Sequence, residues 1–175
     1  MGAYKYIKKN FEREYHEKNP LYKQRMIEWR NGNAIERVGY PINLARARTL
    51  GYKAKNGYIT VRVRIRRGKR KRQKPFGGRK PKHNYRFVQS QLSLQALCEQ
   101  RAARIYKNLE VLNSYWIGED GNYKFFEIIL VDPTIVKDIP ISRLHIRGRA
   151  FRGLTSQGKK ARSLRAIGKR KQRAF

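Results

Sequence analysis

Apolar residues recur every three or four positions at the start of the chain and every second position in its middle, and this change of period predicts its elements. Over residues 3–18, Tyr4, Ile7, Phe11 and Tyr15 share one helical face. Asn19-Pro20 ends that helix, because a residue before proline disfavours the helical region. Leu21, Met26, Ile27 and Trp29 predict a second, shorter helix stopping at Asn31-Gly32. A third is brief, with Asn43 as N-cap, residues 44–50 as body and Gly51 just past the end. From Tyr58 to Arg66 the period drops to two. Ile59, Val61, Val63 and Ile65 alternate with Arg62, Arg64 and Arg66, which predicts a strand with an aliphatic core face and an outward cationic face.

The chain then runs into Arg67-Gly68-Lys69-Arg70-Lys71-Arg72 and a basic stretch rich in Gly and Pro up to about Pro81, expected as a loop or arm. Residues 93–110 predict the best helix: Leu94, Leu97, Cys98, Ala102, Ile105 and Leu109 form its stripe and Ser93 its cap. A β-hairpin follows, with strands at 111–117 and 123–131 around a loop at 118–122, closed by Asp132-Pro133. Thr155 or Ser156 is expected to start a last, largely cationic helix. The fold class is therefore α+β: a small mixed core of sheet and packed helices, with N-terminal helices and long basic extensions. Four segments are expected: helical at 1–36, a basic helix-turn at 37–57, the core at 58–133 with a basic loop at 67–91, and a basic extension at 134–175. No internal repeat is present.

Charge sharpens this division. From Arg37 to Cys98 there are eighteen Lys and Arg and no acid, and from Ile139 to Phe175 twelve more, again with no acid. Residues 1–36 carry eight bases and five acids, and residues 99–138 five bases and seven acids. The segment charges of +18, +12, +3 and −2 sum to the +31 of the whole chain. Segments this cationic repel themselves until a polyanion supplies counter-charge, and nucleic acid is the obvious one. Tyr52, Tyr58, Phe76, Tyr85 and Phe87 lie among the bases and suit stacking on unpaired nucleobases, although Tyr58 fits a core position equally well. Two long basic segments around a small core fit the crevices of a folded RNA better than a duplex groove, since no compact recognition helix or dimer seam is evident.

Composition excludes other classes. At 175 residues and 39 % hydrophobic, the chain supports one domain with a modest core, and its eleven Tyr, seven Phe and two Trp argue against full disorder. Cys98 is the only cysteine, so no intrachain disulfide or cysteine zinc site exists, which suits an intracellular, reducing setting. Its place on an apolar stripe predicts a buried structural thiol. No run is long enough to span a membrane, and the start MGAYKYIKKNF lacks a signal-peptide core. His16, His83 and His145 are scattered, and Gly77-Gly78-Arg79-Lys80 lacks the spacing of a phosphate-binding loop. A Mg²⁺-dependent nuclease would need Glu119, Asp120, Glu127 and Asp132 gathered together. The plainer expectation puts Glu119 and Asp120 in a turn, Glu127 at an exposed sheet position and Asp132 at a strand end.

Five blocks carry a resemblance: MGAYKYI at the start, ARTLGYKAKNGYITVRVRIRRGKRKR at 47–72, SLQALCEQRAAR at 93–104, VLNSYWIGEDGNYKFFEIILVDP at 111–133 and RGLTSQGKKARSL at 152–164. In this order they closely resemble the large-subunit ribosomal protein 15e family of archaea and eukaryotes. The resemblance implies a structural component of the large ribosomal subunit, cytoplasmic, with a small α/β core and extensions threaded through ribosomal RNA (rRNA). Residues 73–91 and 134–149 look shorter than is usual in that family, and the C-terminus stops early, so contacts made there by relatives are not carried over.

The leading expectation is a non-catalytic protein that binds and braces large-subunit rRNA, with a DNA-compacting protein or the nuclease as alternatives. Expected RNA contacts are Arg46, Arg48, Lys53 and Lys55; Arg62, Arg64 and Arg66 on the strand; and Arg67, Lys69, Arg70, Lys71, Arg72, Lys74, Arg79, Lys80 and Lys82 in the arm. In the C-terminal extension they are Arg152, Lys159, Lys160, Arg162, Arg165, Lys169, Arg170, Lys171 and Arg173. Neighbouring large-subunit proteins are expected partners. No cofactor, metal, small-molecule substrate, membrane or homo-oligomer is expected.

Overall fold

The apolar run from Phe125 to Val131, interrupted only by Glu127, needs cover on both faces of its strand, and the fold supplies it. The computed structural model describes residues 2–68, 70–71, 76–78, 87–88, 91–137 and 147–164. Its elements are α1 (Ala3–Glu17), α2 (Pro20–Asn31), β1 (Ile35–Val38), α3 (Leu44–Thr49), β2 (Tyr58–Arg66), β3 (Arg70–Lys71), β4 (Phe87–Val88), α4 (Leu94–Ile105), β5 (Glu110–Glu119), β6 (Tyr123–Val131) and α5 (Ser156–Ala161). This is the expected mixed α+β class. Four antiparallel strands form one sheet in the order β1-β2-β6-β5, and β3 and β4 pair separately. The short β3–β4 ladder lies inside the stretch expected as a loop.

Side chains of β6 divide between two cores. On one face Phe125, Ile129 and Val131 pack with Tyr115 and Ile117 beneath Tyr22, Met26 and Trp29 of α2 and Ala47 of α3. On the other, Phe126, Ile128 and Leu130 meet Val61, Val63 and Ile65 of β2, with Cys98 and Ala102 of α4 and Ala150 laid over them. The odd positions of β2 therefore face the core as expected. Gly118 lets α2 approach β5 closely: a Cβ there would lie 2.9 Å from Met26 Cε. At Gly57, φ is +89° and a Cβ would meet Val136 Cγ2 at 2.5 Å, so the turn into β2 requires glycine.

Local signals set most helix ends. Asn19, Asn43, Ser93 and Thr155 each accept a backbone N–H of the first turn, from Tyr22 at 2.9 Å, Arg46 at 2.9 Å, Ala96 at 3.2 Å and Gly158 at 3.1 Å. Three expectations are corrected. The helix expected through residue 110 ends at Ile105, which is exposed at 59 %, because Tyr106 leaves helical geometry and the chain turns into β5. Strand β1 was not foreseen. Its Ile-Glu-Arg-Val sequence is too short and charged to signal a strand alone, and β2 recruits it at the sheet edge from Ile35↔Val63 to Val38↔Thr60. Glu127 is fully buried, not exposed.

A second buried acid ties the C-terminal segment down. Glu99 of α4 accepts Ser114 Oγ of β5 at 2.5 Å and Thr155 Oγ1 at 2.6 Å. Burial pushes its carboxyl up, while these two hydroxyls and Arg149 work in the opposite direction. Replacing Thr155 by Val removes one hydroxyl from the buried acid and the cap from α5. Chemical denaturation should show a loss of about 1–3 kcal/mol; an unchanged midpoint would mean that Glu99 does not anchor this segment.

Candidate nucleic-acid interface

Period-two alternation put three β2 arginines on one face, and the structure does so too, but that face is covered. The Arg62 guanidinium lies 4.9 Å from the centroid of the Trp29 ring and is 2.6 Å from Glu36 Oε2 of β1. Arg64 stacks on Tyr123 at 5.1 Å and donates to the Trp29 carbonyl at 3.4 Å. Both side chains are half-buried beneath α2. The expected open cationic strand face is thus occupied by aromatic rings, which favour a guanidinium stacked against them. Arg66, one turn of the alternation further, is exposed.

Other cations expected at an interface lie at several places. Arg67 follows Arg66 at the end of β2 and donates to the Asp120 carbonyl at 2.9 Å. A guanidinium has five N–H donors, so this bond leaves most of them for other partners. Lys53 and Lys55 are exposed before the start of β2. Between Tyr58 and Arg66 the strand spans roughly 27 Å, at about 3.4 Å per residue, so these groups occupy opposite ends of the sheet. Arg46 and Arg48 are exposed on α3, over one face. Arg152, Lys159, Lys160 and Arg162 are exposed on the opposite side, around α5. Arg162 donates to the carbonyls of Arg152 at 3.1 Å and Gly153 at 3.5 Å, which fixes the RGLTS turn. Arg70 and Lys71 form β3, and their side chains lie outside the described residues, as do Lys69, Arg72, Lys74, Arg79, Lys80, Lys82, Arg165, Lys169, Arg170, Lys171 and Arg173.

Among the aromatic candidates, Tyr58 is core, with Tyr52 packed edge-on to it at 6.3 Å, while Phe76 is 61 % exposed. Tyr85 and the Phe87 side chain lie outside the described residues. Two cations that sequence reasoning passed over, Lys5 and Lys8, project from α1 on the side of α3. Their three-residue spacing on one helix face was the available signal.

The carboxylates do not assemble a metal centre. Glu119 and Asp120 sit at the hairpin turn, where Glu119 lies 3.0 Å from Lys124 and Asp120 Oδ1 accepts from Asn122 N. Burial works against the charge on Glu119, yet Lys124 holds its pKa below the ordinary value. Asp132 is at the far end of β6, held below the usual carboxylate range by Thr134. Glu127 lies inside the sheet, accepting the Tyr115 hydroxyl and, at 3.3 Å, the Ile42 N–H. No group of His, Cys, Asp and Glu suited to a metal occurs among the described residues. Cys98 is fully buried, and burial pushes its thiol up to about 12, so it is no nucleophile at neutral pH. No helix among the described residues is long and apolar enough to cross a membrane.

Comparison with known proteins finds relatives along nearly the whole chain. The ribosomal L15e family model, described as Ribosomal L15, matches residues 2–175. Large ribosomal subunit protein eL15 of Nanoarchaeum equitans is 44 % identical over 171 residues, covering 94 % of this chain and 90 % of the relative. The protein of the same name from Picrophilus torridus is 47 % identical over 152 residues, covering 83 % of this chain and 78 % of the relative.

Burial raises the Glu127 carboxyl to about 7, against the hydrogen bonds from Tyr115 and Ile42 and the charge of Arg62. The folded protein therefore holds a proton that the unfolded chain releases near its ordinary pKa of 4.5. This group stabilises the fold at low pH, and that contribution declines as pH rises from about 4.5 to about 7. Thermal denaturation of the wild type and Glu127→Gln across that window should show the wild type losing ground to the variant as pH increases. Parallel curves would contradict the assignment.

Proposed function

For this chain, which belongs to the ribosomal L15e family, we propose a role as a brace that holds separate helices of large-subunit rRNA together. The chain is a structural, non-enzymatic constituent of the large ribosomal subunit. The observation that carries the bracing role is the spread of exposed cations over both ends of β2 and both faces of the sheet. A protein reading one duplex would concentrate its cations on one face. Here Arg66 and Arg67 are exposed at one end, Lys53 and Lys55 at the other, with Arg46 and Arg48 exposed on one side and Lys159 and Lys160 on the opposite side. Each such group meets phosphate from a different direction.

Arg62 and Arg64 take a different part. Stacked under α2, they fix the end of the sheet from which Arg66 and Arg67 project, and so position phosphate contacts without making them. The basic arm around residues 67–82 and the extension beyond Arg152 add contacts between RNA helices, ordering as counter-charge arrives. Neighbouring large-subunit proteins complete the set of partners.

Binding of large-subunit rRNA measured against salt tests this. A log–log slope near zero would remove electrostatic RNA binding altogether. Arg66→Gln with Arg67→Gln should flatten the slope by about 1.4 to 1.8 units, at about 0.7–0.9 per phosphate lost. Arg62→Gln should leave the slope unchanged and instead lower stability by about 1–2 kcal/mol, through the lost ring stacking and ion pair. A slope change with Arg62→Gln and none with the double variant would reverse the assignment.

A further inference from the structure

Between α1 and α3, beside the edge strand β5, lies a cleft of about 860 Å³, rimmed in part by Arg46 and Arg48, whose aromatic wall the phosphate contacts above leave unused. Its walls are apolar, built from Phe11, Ala45 and Trp116. Phe11 and Tyr15 meet the indole edge-on, with centroids 6.2 and 4.7 Å away, and fix its orientation. The neutral polar side chains in the lining are already engaged: Asn43 accepts the Arg46 N–H at 2.9 Å, and Thr49 donates to the Arg46 carbonyl at 2.8 Å. Cations surround the cleft, Lys5 and Lys8 from α1 and Arg46 and Arg48 from α3. Arg48 lies over the Tyr4 ring at 5.4 Å. Glu12 is the one acid in the lining and sits 3.7 Å from Lys8, so four cations less one acid leave a charge of +3.

We propose that this cleft seats one unpaired nucleotide of large-subunit RNA, with its base against Trp116 and Phe11 and the flanking phosphates on Lys5, Lys8, Arg46 and Arg48. A nucleobase offers an apolar face of ring size joined to an anionic backbone, which is the complement of an aromatic wall inside a cationic rim. An acidic peptide matches the rim, but its backbone N–H and C=O groups would face walls that offer them no partner. The proposal rests on the rRNA-bracing role and adds to it a contact that depends on stacking as well as charge.

Trp29 is buried, so Trp29→Phe leaves Trp116 as the one indole of the two in the chain. In that background, adding large-subunit rRNA should quench Trp116 emission. Trp116→Leu should weaken rRNA binding about ten-fold without changing the salt slope, and Trp116→Phe should retain most of the affinity, as expected for loss and retention of base stacking. Ala45→Phe, which fills the cleft and removes no aromatic contact, should abolish the quench and give a similar loss. An unquenched indole, with full affinity and a steep slope in Trp116→Leu and Ala45→Phe, would overturn the cleft proposal and leave the bracing role standing. A slope near zero in the wild type would overturn the bracing role itself. Quenching seen only when large-subunit proteins are added would identify a protein occupant and overturn the nucleotide.

Discussion

A surplus of thirty-one positive charges in 175 residues is the constraint to which the whole structure answers. The chain meets it by turning its few acids inward or onto specific cations. Glu99 and Glu127 are buried and take hydroxyl donors, Glu36 holds Arg62, Glu14 holds Arg25 at 2.7 Å and Glu119 holds Lys124. Carboxylates used this way fasten elements to one another and leave little to offset the outer cations. The same economy that lets a small core form leaves its surface in want of an external polyanion.

The two covered faces of the sheet explain how a modest core keeps so much charge apart. Helices α2 and α3 close one face and α4 the other, so β6 is buried along nearly its whole length. Most cations are then left at strand ends, on helix exteriors and in segments that leave the sheet. Arg62 and Arg64 show the limit of this rule, since a guanidinium can lie against an aromatic ring where an ammonium would need water. Their burial stiffens the platform from which neighbouring cations reach outward.

Much of this was legible in the sequence because the signals are local. Asn43 and Ser93 mark helix starts, alternation in β2 identifies its core-facing residues, and the Asp120-Gly121-Asn122 turn announces the hairpin. What escaped depends on tertiary partners. Alternation states which residues share a face and not what covers it, so β2 was expected to show an open cationic surface that Trp29 and Tyr123 in fact occupy. Strand β1 exists because β2 offers it an edge. Glu127 reads as an exposed polar position until Tyr115 and Ile42 are seen around it. The cleft joins Phe11, Ala45 and Trp116 from three separate stretches, and no spacing rule brings those together. Part of the candidate interface was readable as charge alone, while its division into exposed and half-buried cations was not.

The central claim is that the folded core carries a positive surplus which RNA neutralises. The most direct measurement is the Tm of the full chain at low salt, alone and with an equimolar folded fragment of large-subunit rRNA, repeated as salt is raised. The account predicts a higher Tm with RNA and a difference that shrinks as the Debye length falls from about 30 Å at 0.01 M to about 8 Å at 0.15 M. A Tm indifferent to RNA, or a gain that persists unchanged at high salt, would contradict it.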